Sequence, residues 1–188
     1  MSKRIYIALL HSPVYNKEYE VITTSVTNLD VHDIARAART YGVKRYFLVH
    51  PLEIQRQLVD EIMRYWLTGW GSESNPDRQE ALKILELVAD LEEVQKRIEE
   101  LEGQKALTVV TDARVYSRSV SYQEMRDRIS RGDVPYLILF GTGWGLIKEE
   151  MEKADFILHP IEAGSDYNHL SVRSAVAIIL DRLLGNGR

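Results

Sequence analysis

The sequence predicts an α/β protein built on a parallel β-sheet. Along its 188 residues, short apolar runs alternate with amphipathic segments of helical period, the pattern of repeated β–α units. The length suits a single domain, and we expect residues 1–188 to form it. In parallel sheets ligands bind beyond the carboxyl ends of the strands, so the segments that follow the strands are the first candidates for a site.

The N-terminal quarter predicts two buried strands and one helix. The apolar runs over residues 5–10 and 45–50 are the strands, while the β-branched stretch 21–27 predicts either a strand or a functional loop. Between them a helix is expected, with Asp30 as its N-cap and Gly42 at its end. Its apolar positions share one face: Val31, Ile34, Ala35, Ala38 and Tyr41.

The middle of the chain predicts three helices and one strand. Pro51 opens a helix over residues 52–67, and the apolar spacing over residues 80–101 predicts one long amphipathic helix. A strand is expected at 107–111 and a short helix at 122–130. Residues 68–79 between the first two helices are rich in turn formers. They carry Trp70, which could stack on a base or pack at a subunit interface.

The last fifty residues predict strand, glycine loop, helix, strand, polar loop and helix. Residues 137–140 and 156–161 are the strands. Gly141, Gly143 and Gly145 follow the first strand and allow the backbone to come close to a ligand. The final helix opens at residues 168–171, and Gly185 ends it. Its apolar positions follow the helical period: Val172, Ala175, Val176, Ile179, Leu180 and Leu183.

Composition excludes several classes of protein. Without cysteine there are no disulfides, thiolate metal sites or cysteine nucleophiles, and a reducing cytoplasmic setting is the simple expectation. No apolar run is long enough to span a membrane, so we expect a soluble protein. The net charge of −4 argues against nonspecific polyanion binding. Asp30, His32 and Asp33 could ligate a metal, but their place at a helix start favours capping, and no metal is expected.

Taken alone, the glycine loop is ambiguous. GTGWGL is similar to the dinucleotide fingerprint G-x-G-x-x-G, and Glu162 stands about where that fingerprint requires an acid for the ribose. Leu146 occupies the last glycine position, and the motif lies late in the chain rather than in the first β–α unit. A nicotinamide-dependent enzyme is therefore an alternative, and a loop needed only for a tight turn is another.

Several motifs together resemble the SPOUT superfamily of S-adenosylmethionine-dependent RNA methyltransferases. They are LILFGTGWGL, ADFILHPI and NHLSVRSAVAIIL. In addition, NLDVHDIARAARTYGV resembles the first motif of its SpoU branch. With VYNK and GWG…NPDR, the resemblance extends over nearly the whole chain to a small bacterial family that occurs alone or fused to a tRNA guanine-N1 methyltransferase. It implies methyl transfer to tRNA or rRNA, a deep trefoil knot at the C-terminal end, and a homodimer whose pocket borrows residues from the second subunit.

The resemblance also implies a pocket of three loops that holds S-adenosylmethionine largely through main-chain groups. It assigns these residues to that ligand: Thr111, Asp112, Phe140, Gly141, Thr142, Gly143, Gly145, His159, Pro160, Ile161, Asn168, Leu170 and Ser171. If the protein keeps this pocket without activity, it is instead a silent adenosyl-ligand or RNA-binding module.

Two arginines are the catalytic candidates. Arg36 matches the SpoU arginine, which would hold a phosphate or activate a ribose, although by sequence alone it is an ordinary surface residue. Arg173, on the first turn of the last helix, could contact a substrate phosphate. Asp112 or Asp166 could act as a base. Asp30 replaces the usual asparagine of the SpoU motif, which puts ribose 2′-O-methylation in doubt.

Overall fold

The computed structural model describes residues 4–165 and 167–186, and it contains a seven-stranded sheet and a separate two-stranded hairpin. The strands, numbered in chain order, are β1 Ile5–Leu10, β2 Val14–Tyr15, β3 Val21–Ile22, β4 Arg45–Val49, β5 Leu85–Val88, β6 Leu107–Val110, β7 Ser119–Val120, β8 Tyr136–Gly141 and β9 Phe156–Leu158. The large sheet has the order β5-β4-β1-β8-β6-β9-β7. Every pair of neighbouring strands in it is parallel. The predicted α/β class with a parallel sheet is therefore confirmed.

Helices cover both faces of this sheet. They are α1 Asn28–Thr40, α2 Glu53–Leu67, α3 Trp70–Ser74, α4 Pro76–Leu82, α5 Leu91–Glu102, α6 Tyr122–Arg131, α7 Lys148–Lys153 and α8 Val172–Leu184. Helices α1, α2, α4, α6 and α8 pack on what we call the first face, and α5 and α7 on the second. Alternate residues of β1 enter the two cores, Ile5 and Ile7 the first and Tyr6 and Ala8 the second. Since both faces are covered, the central strands are continuous apolar runs.

The prediction of one long helix over residues 80–101 is wrong. α4 ends at Leu82, β5 adds a strand to the sheet beside β4, and α5 begins only after Asp90. Apolar residues at positions 82, 85 and 88 fit a helical period, but here strand pairing with β4 decides their conformation. The missed signal is the N-terminal cap of α5. Asp90 accepts from the Glu93 amide at 2.9 Å, while Glu93 accepts from the Ala89 amide at 3.0 Å.

Two smaller expectations also change. Thr27, not Asp30, is the N-cap of α1, because its hydroxyl oxygen accepts from the Asp30 amide. Asp30 lies in the first turn of the helix and is buried. In the stretch 21–27 only Val21–Ile22 forms a strand, paired with β2, and the rest is irregular. The turn-rich segment 68–79 holds α3 and the start of α4, and it leaves Trp70 exposed.

The C-terminal strands are not arranged in chain order. β9 lies between β6 and β7, although β6 and β7 are consecutive in the chain. Residues 111–118 must therefore cross β9 to join them. Among the helices of the described residues, none has the length and apolar character that a membrane crossing requires.

The side chain of Glu102 links α5, on the second face, to the start of β1. The Glu102 carboxylate, with 5 % of its side chain exposed, accepts from Arg4 Nε at 2.6 Å, Tyr6 Oη at 2.6 Å and Lys44 Nζ at 2.9 Å. Burial by itself would raise the pKa of this carboxyl, but the three hydrogen bonds outweigh burial and lower the pKa to about 2.

Glu102→Gln is expected to lower the free energy of unfolding at neutral pH by about 2 kcal/mol, because a charged acceptor with three donors is lost. The folded pKa lies below the usual 4.5, so the contribution is complete above pH 4.5 and is lost as the pH falls toward 2. Urea unfolding at several pH values should therefore show the wild type and the variant converging in acid. Glu100→Gln, an exposed pair partner of Arg97 on the same helix, is the control, with an expected change under about 0.5 kcal/mol.

Candidate functional site

A cavity of about 760 Å³ opens at the carboxyl edge of the sheet. Segments that follow β1, β6, β8 and β9 line it, together with the starts of α1 and α8. The carboxyl ends of parallel strands meet at one edge, which is why segments far apart in the chain converge here. Every residue that the resemblance assigned to S-adenosylmethionine lines this cavity: Thr111, Asp112, Phe140, Gly141, Thr142, Gly143, Gly145, His159, Pro160, Ile161, Asn168, Leu170 and Ser171. Their binding role stays a prediction.

The glycine loop, residues 141–145, is held by main-chain bonds to its neighbours. Thr142 N donates to Leu10 O at 3.2 Å, and Trp144 N donates to Tyr15 O at 2.8 Å. Gly143 has a φ of +60°, and a Cβ added to it would lie 2.7 Å from Tyr15 O. The close approach of the β2–β3 hairpin backbone is therefore enough to require glycine here, with or without a ligand in the cavity.

Next to the glycine loop lies a polar network of two buried histidines and two partly buried threonines. The Thr24 and Thr142 hydroxyls are 2.5 Å apart, and Thr24 Oγ1 is 3.0 Å from His11 Nδ1. His50 Nδ1 accepts from the Leu52 amide at 3.1 Å, so its Nε2 carries the proton and donates to Thr24 O at 3.0 Å. Burial lowers the pKa of both imidazoles, and the neighbouring His50 helps to bring the pKa of His11 to about 4. Both rings are neutral at physiological pH.

One wall of the cavity carries an ion pair between Asp112 and Arg114. Arg114 donates to one carboxylate oxygen from Nε at 2.8 Å and to the other from Nη2 at 2.8 Å. The Arg114 amide adds a third bond at 2.8 Å, and only 4 % of the Asp112 side chain is exposed. These hydrogen bonds raise the pKa of Arg114. Both carboxylate oxygens of Asp112, one of the two predicted bases, therefore already accept hydrogen bonds from Arg114. Asp166, the other predicted base, lies outside the described residues.

A second part of the cavity wall carries Arg173 between two acids. Its Nη1 donates to Asp30 Oδ1 at 3.2 Å, and its Nε lies 3.5 Å from Asp33 Oδ2. Asp30 is buried, and its second oxygen accepts from the Thr27 hydroxyl at 2.6 Å. The side chain of Arg173 is 29 % exposed and lines the cavity. The two acids thus hold the Arg173 guanidinium in one position at the cavity wall.

Arg36 is in a different position. It is exposed on α1, and the described residues that line the cavity do not include it. Glu162, which the dinucleotide interpretation requires, is likewise exposed and outside the lining residues. Within the described parts of the chain no group of three or more histidine and acidic residues could hold a metal ion.

Sequence reasoning missed several lining residues. Among them are His11, Tyr19 and Thr24. The position of His11, directly after β1, was a usable signal, because the carboxyl end of a central strand leads into the site. No pattern in the sequence indicated Tyr19, since long-range contacts with the glycine loop bring its hairpin to the cavity, among them the main-chain bond from Trp144 N to Tyr15 O.

Comparison with known proteins gives the family. Residues 4–185 match the model of a family described as SAM-dependent RNA methyltransferase. An uncharacterised protein of Aquifex aeolicus is 44 % identical over the whole chain, which covers 92 % of that protein. A tRNA (guanine-N(1)-)-methyltransferase of Oleidesulfovibrio alaskensis is 43 % identical over 98 % of the chain. The chain spans only 43 % of the length of that relative.

Solved structures share the fold at low identity. TrmJ from Z. mobilis ZM4 has a TM-score of 0.60 at 17 % identity, over 97 % of this chain and 68 % of its own. The A. aeolicus TrmH/SpoU tRNA modifying enzyme has a TM-score of 0.56 at 18 % identity, over 97 % and 74 %. An AdoMet-bound rRNA methyltransferase from Sinorhizobium meliloti has a TM-score of 0.54 at 16 % identity, over 97 % and 56 %. With a family match across residues 4–185, the chain belongs to the family of S-adenosylmethionine-dependent RNA methyltransferases.

Proposed function

We propose that this protein methylates a nucleotide of tRNA or rRNA in the bacterial cytoplasm and that the cavity at the carboxyl edge of the sheet is its active site. The family gives the reaction class and the cofactor. The observation that carries the site is the convergence of the segments after four strands on one cavity of about 760 Å³. That volume suits a small-molecule site.

The lining residues fit an adenosyl ligand. Ile161, Leu170 and Val172 offer apolar surface to a flat base, while the glycine loop brings main-chain groups to the cavity. The two acids of the walls, Asp30 and Asp112, are each bonded to an arginine, so the pocket carries compensated charge. When bound, S-adenosylmethionine supplies an electrophilic methyl group. The chain must hold that group in line with the RNA atom that attacks it.

Arg173 is the group best positioned to meet the RNA. It lines the cavity, and Asp30 and Asp33 restrict its guanidinium. A restrained guanidinium can bind a phosphate with little loss of entropy, because its donors are already oriented. We propose that Arg173 orients the target nucleotide through its phosphate while the buried Asp30 fixes the position of Arg173.

Arg36 can act in the same reaction only across a subunit interface, since it lies outside the cavity of its own chain. We propose a homodimer in which Arg36 of one subunit completes the site of the other. The exposed position of Arg36 on α1 supports this arrangement, because no side-chain hydrogen bond or ion pair within the described residues engages its guanidinium.

A trefoil knot at the C-terminal end is proposed on the path of the chain. Residues 111–118 cross β9, and Arg118 donates to the carbonyls of Met151 and Ala154 at the end of α7. α7 packs on the second face and α8 on the first. The chain therefore reaches β9 from the second face of the sheet and leaves it toward the first face, passing residues 111–118 on the way. This path supports a knot, because the C-terminal segment passes through the loop that residues 111–118 help to form.

A tRNA substrate is supported by the name of the O. alaskensis relative, tRNA (guanine-N(1)-)-methyltransferase, although the chain spans less than half of that protein. A silent module that binds the cofactor or RNA is the remaining alternative. A nicotinamide-dependent enzyme is not favoured, because the family match and the position of Glu162 both oppose it. Transfer of labelled methyl groups from S-adenosylmethionine to purified tRNA or rRNA tests the proposal, and transfer to neither would contradict it.

Gly143→Val is expected to weaken S-adenosylmethionine binding by about 100-fold or more, because its side chain collides with the Tyr15 carbonyl and displaces the glycine loop. Calorimetry measures the affinity. Gly132→Val is the matched control, since Gly132 has a similar φ of +71° with no atom within 4 Å of an added Cβ, and it lies away from the cavity. Unchanged affinity in Gly143→Val would contradict the assignment of the loop.

Arg173→Ala is expected to reduce methyl transfer by about 100-fold with little change in S-adenosylmethionine affinity, and Arg173→Lys to restore part of the rate. Single-turnover transfer to RNA measures the first effect and calorimetry the second. Arg182→Ala on the same helix, whose guanidinium lies over Tyr122 away from the cavity, is the control. Equal losses in Arg173→Ala and Arg182→Ala would remove the proposed role.

Arg36→Ala is expected to bind S-adenosylmethionine normally and to lose transfer by about 100-fold. A heterodimer with Arg36→Ala in one subunit and Gly143→Val in the other should recover about half of the activity of the wild-type dimer. One of its two sites then combines an intact glycine loop with an intact Arg36 from the other subunit. The control is Arg39→Ala, on the same helix as Arg36, which breaks an exposed ion pair with Glu80 of α4. Absence of complementation, with each variant inactive alone, would show that Arg36 does not act across the interface.

A further inference from the structure

Exposed aromatic rings surround the mouth of the cavity. We call Tyr19, Trp144, Tyr167 and His169 the aromatic collar. Three of them line the cavity from three separate segments: Tyr19 from the hairpin, Trp144 from the glycine loop and His169 from the stretch before α8. Tyr19 is 59 % exposed, Trp144 49 % and Tyr167 73 %. The fold gains little from rings that stay in water, so their position at the mouth points to a ligand.

Three of the rings, those of Trp144, Tyr167 and His169, contact one another edge to face. The Trp144 and His169 centroids are 6.1 Å apart at 64°, and those of Tyr167 and His169 are 5.4 Å apart at 70°. In such pairs the edge of one ring meets the face of the other, which leaves ring surface free for a further planar group. The contacts also restrict the side chains, so a stacking partner meets partly ordered rings.

The charged groups beside the collar favour stacking of a base on the rings over attraction of a phosphate group. The Arg114 guanidinium carbon lies 5.9 Å from the Tyr19 centroid, but the bidentate pair with Asp112 compensates its charge. A guanidinium whose charge is compensated in this way can still stack its planar face on an aromatic ring or a base. Aromatic rings beside guanidinium groups form the platforms on which single-stranded nucleic acids stack their bases.

We propose that the aromatic collar holds an unstacked base of single-stranded RNA at the mouth of the cavity, with Trp144 and His169 as its stacking surface. This inference rests on the proposed function and narrows it: the target nucleotide lies in a loop or another unpaired region, not within a duplex. Bases in a helix already stack on their neighbours, so the collar can engage only a base that has left the stack.

The test uses the full-length protein and an unstructured fluorescent RNA of about ten nucleotides, a length that one single-strand site covers. The variants are Trp144→Ala, Trp144→Phe and the control Tyr65→Ala, which removes an exposed aromatic ring of α2 outside the residues that line the cavity. Trp144→Ala should weaken binding of the single strand by about tenfold or more, Trp144→Phe by under about threefold, and Tyr65→Ala not at all. The loss should be similar at low and high salt, because stacking does not release counterions.

The same RNA annealed to its complement should bind more weakly, and Trp144→Ala should not change its affinity. Affinity for S-adenosylhomocysteine, measured by calorimetry, should be equal in all variants. Unchanged single-strand affinity in Trp144→Ala would overturn the proposal, and so would equal losses for strand and duplex. A matching loss of S-adenosylhomocysteine affinity would also overturn it, by assigning Trp144 to the cofactor. If the wild type bound no S-adenosylhomocysteine, the proposed function would fail instead, while the RNA measurements would still decide the collar.

Discussion

The pairing of β1 with β8 is the constraint on which the rest of the structure depends. Six residue pairs, from Ile5 with Tyr136 to Leu10 with Gly141, join segments from opposite ends of the chain in the centre of the sheet. Both strands are buried on both faces, so a shift in register would move every side chain into the wrong core. This register sets Gly141 beside Leu10, and the glycine loop therefore starts next to the segment that leads to the hairpin.

From that point the site is built by contacts between loops rather than by any one motif. The hairpin bonds to the glycine loop through main-chain groups, and the Thr24–Thr142 contact links the same two segments through side chains. Two neutral histidines fill the space behind them. Because the polar groups of this wall largely satisfy one another, the cavity can keep its shape before a ligand enters, which lowers the cost of binding.

The acidic groups of the cavity illustrate a second consequence of this packing. Asp30 and Asp112 both lie almost fully buried, and each is bonded to an arginine that is more exposed than itself. A buried carboxylate without such a partner would be costly. The acids therefore position Arg173 and Arg114 at the cavity, where Arg173 and the aromatic rings of the mouth are the groups that we propose to meet the RNA.

The sequence by itself determined the α/β class, most strands and helices, and three of the segments that line the cavity, those after β6, β8 and β9. These follow from hydrophobic period, from glycine and proline positions, and from the known edge of parallel sheets at which ligands bind. It failed at residues 80–101, where the period fits helix and strand alike and only pairing with β4 selects β5. It also misassigned the cap of α1, since Thr27 and Asp30 are both good caps and backbone geometry chooses between them. Only the tertiary structure decided that Arg173 lines the cavity and Arg36 does not, that Gly143 faces the Tyr15 carbonyl, and that Tyr19, Trp144 and His169 meet at one mouth. These relations join segments far apart in the chain, and their physical cause is strand order and register, which no local pattern encodes.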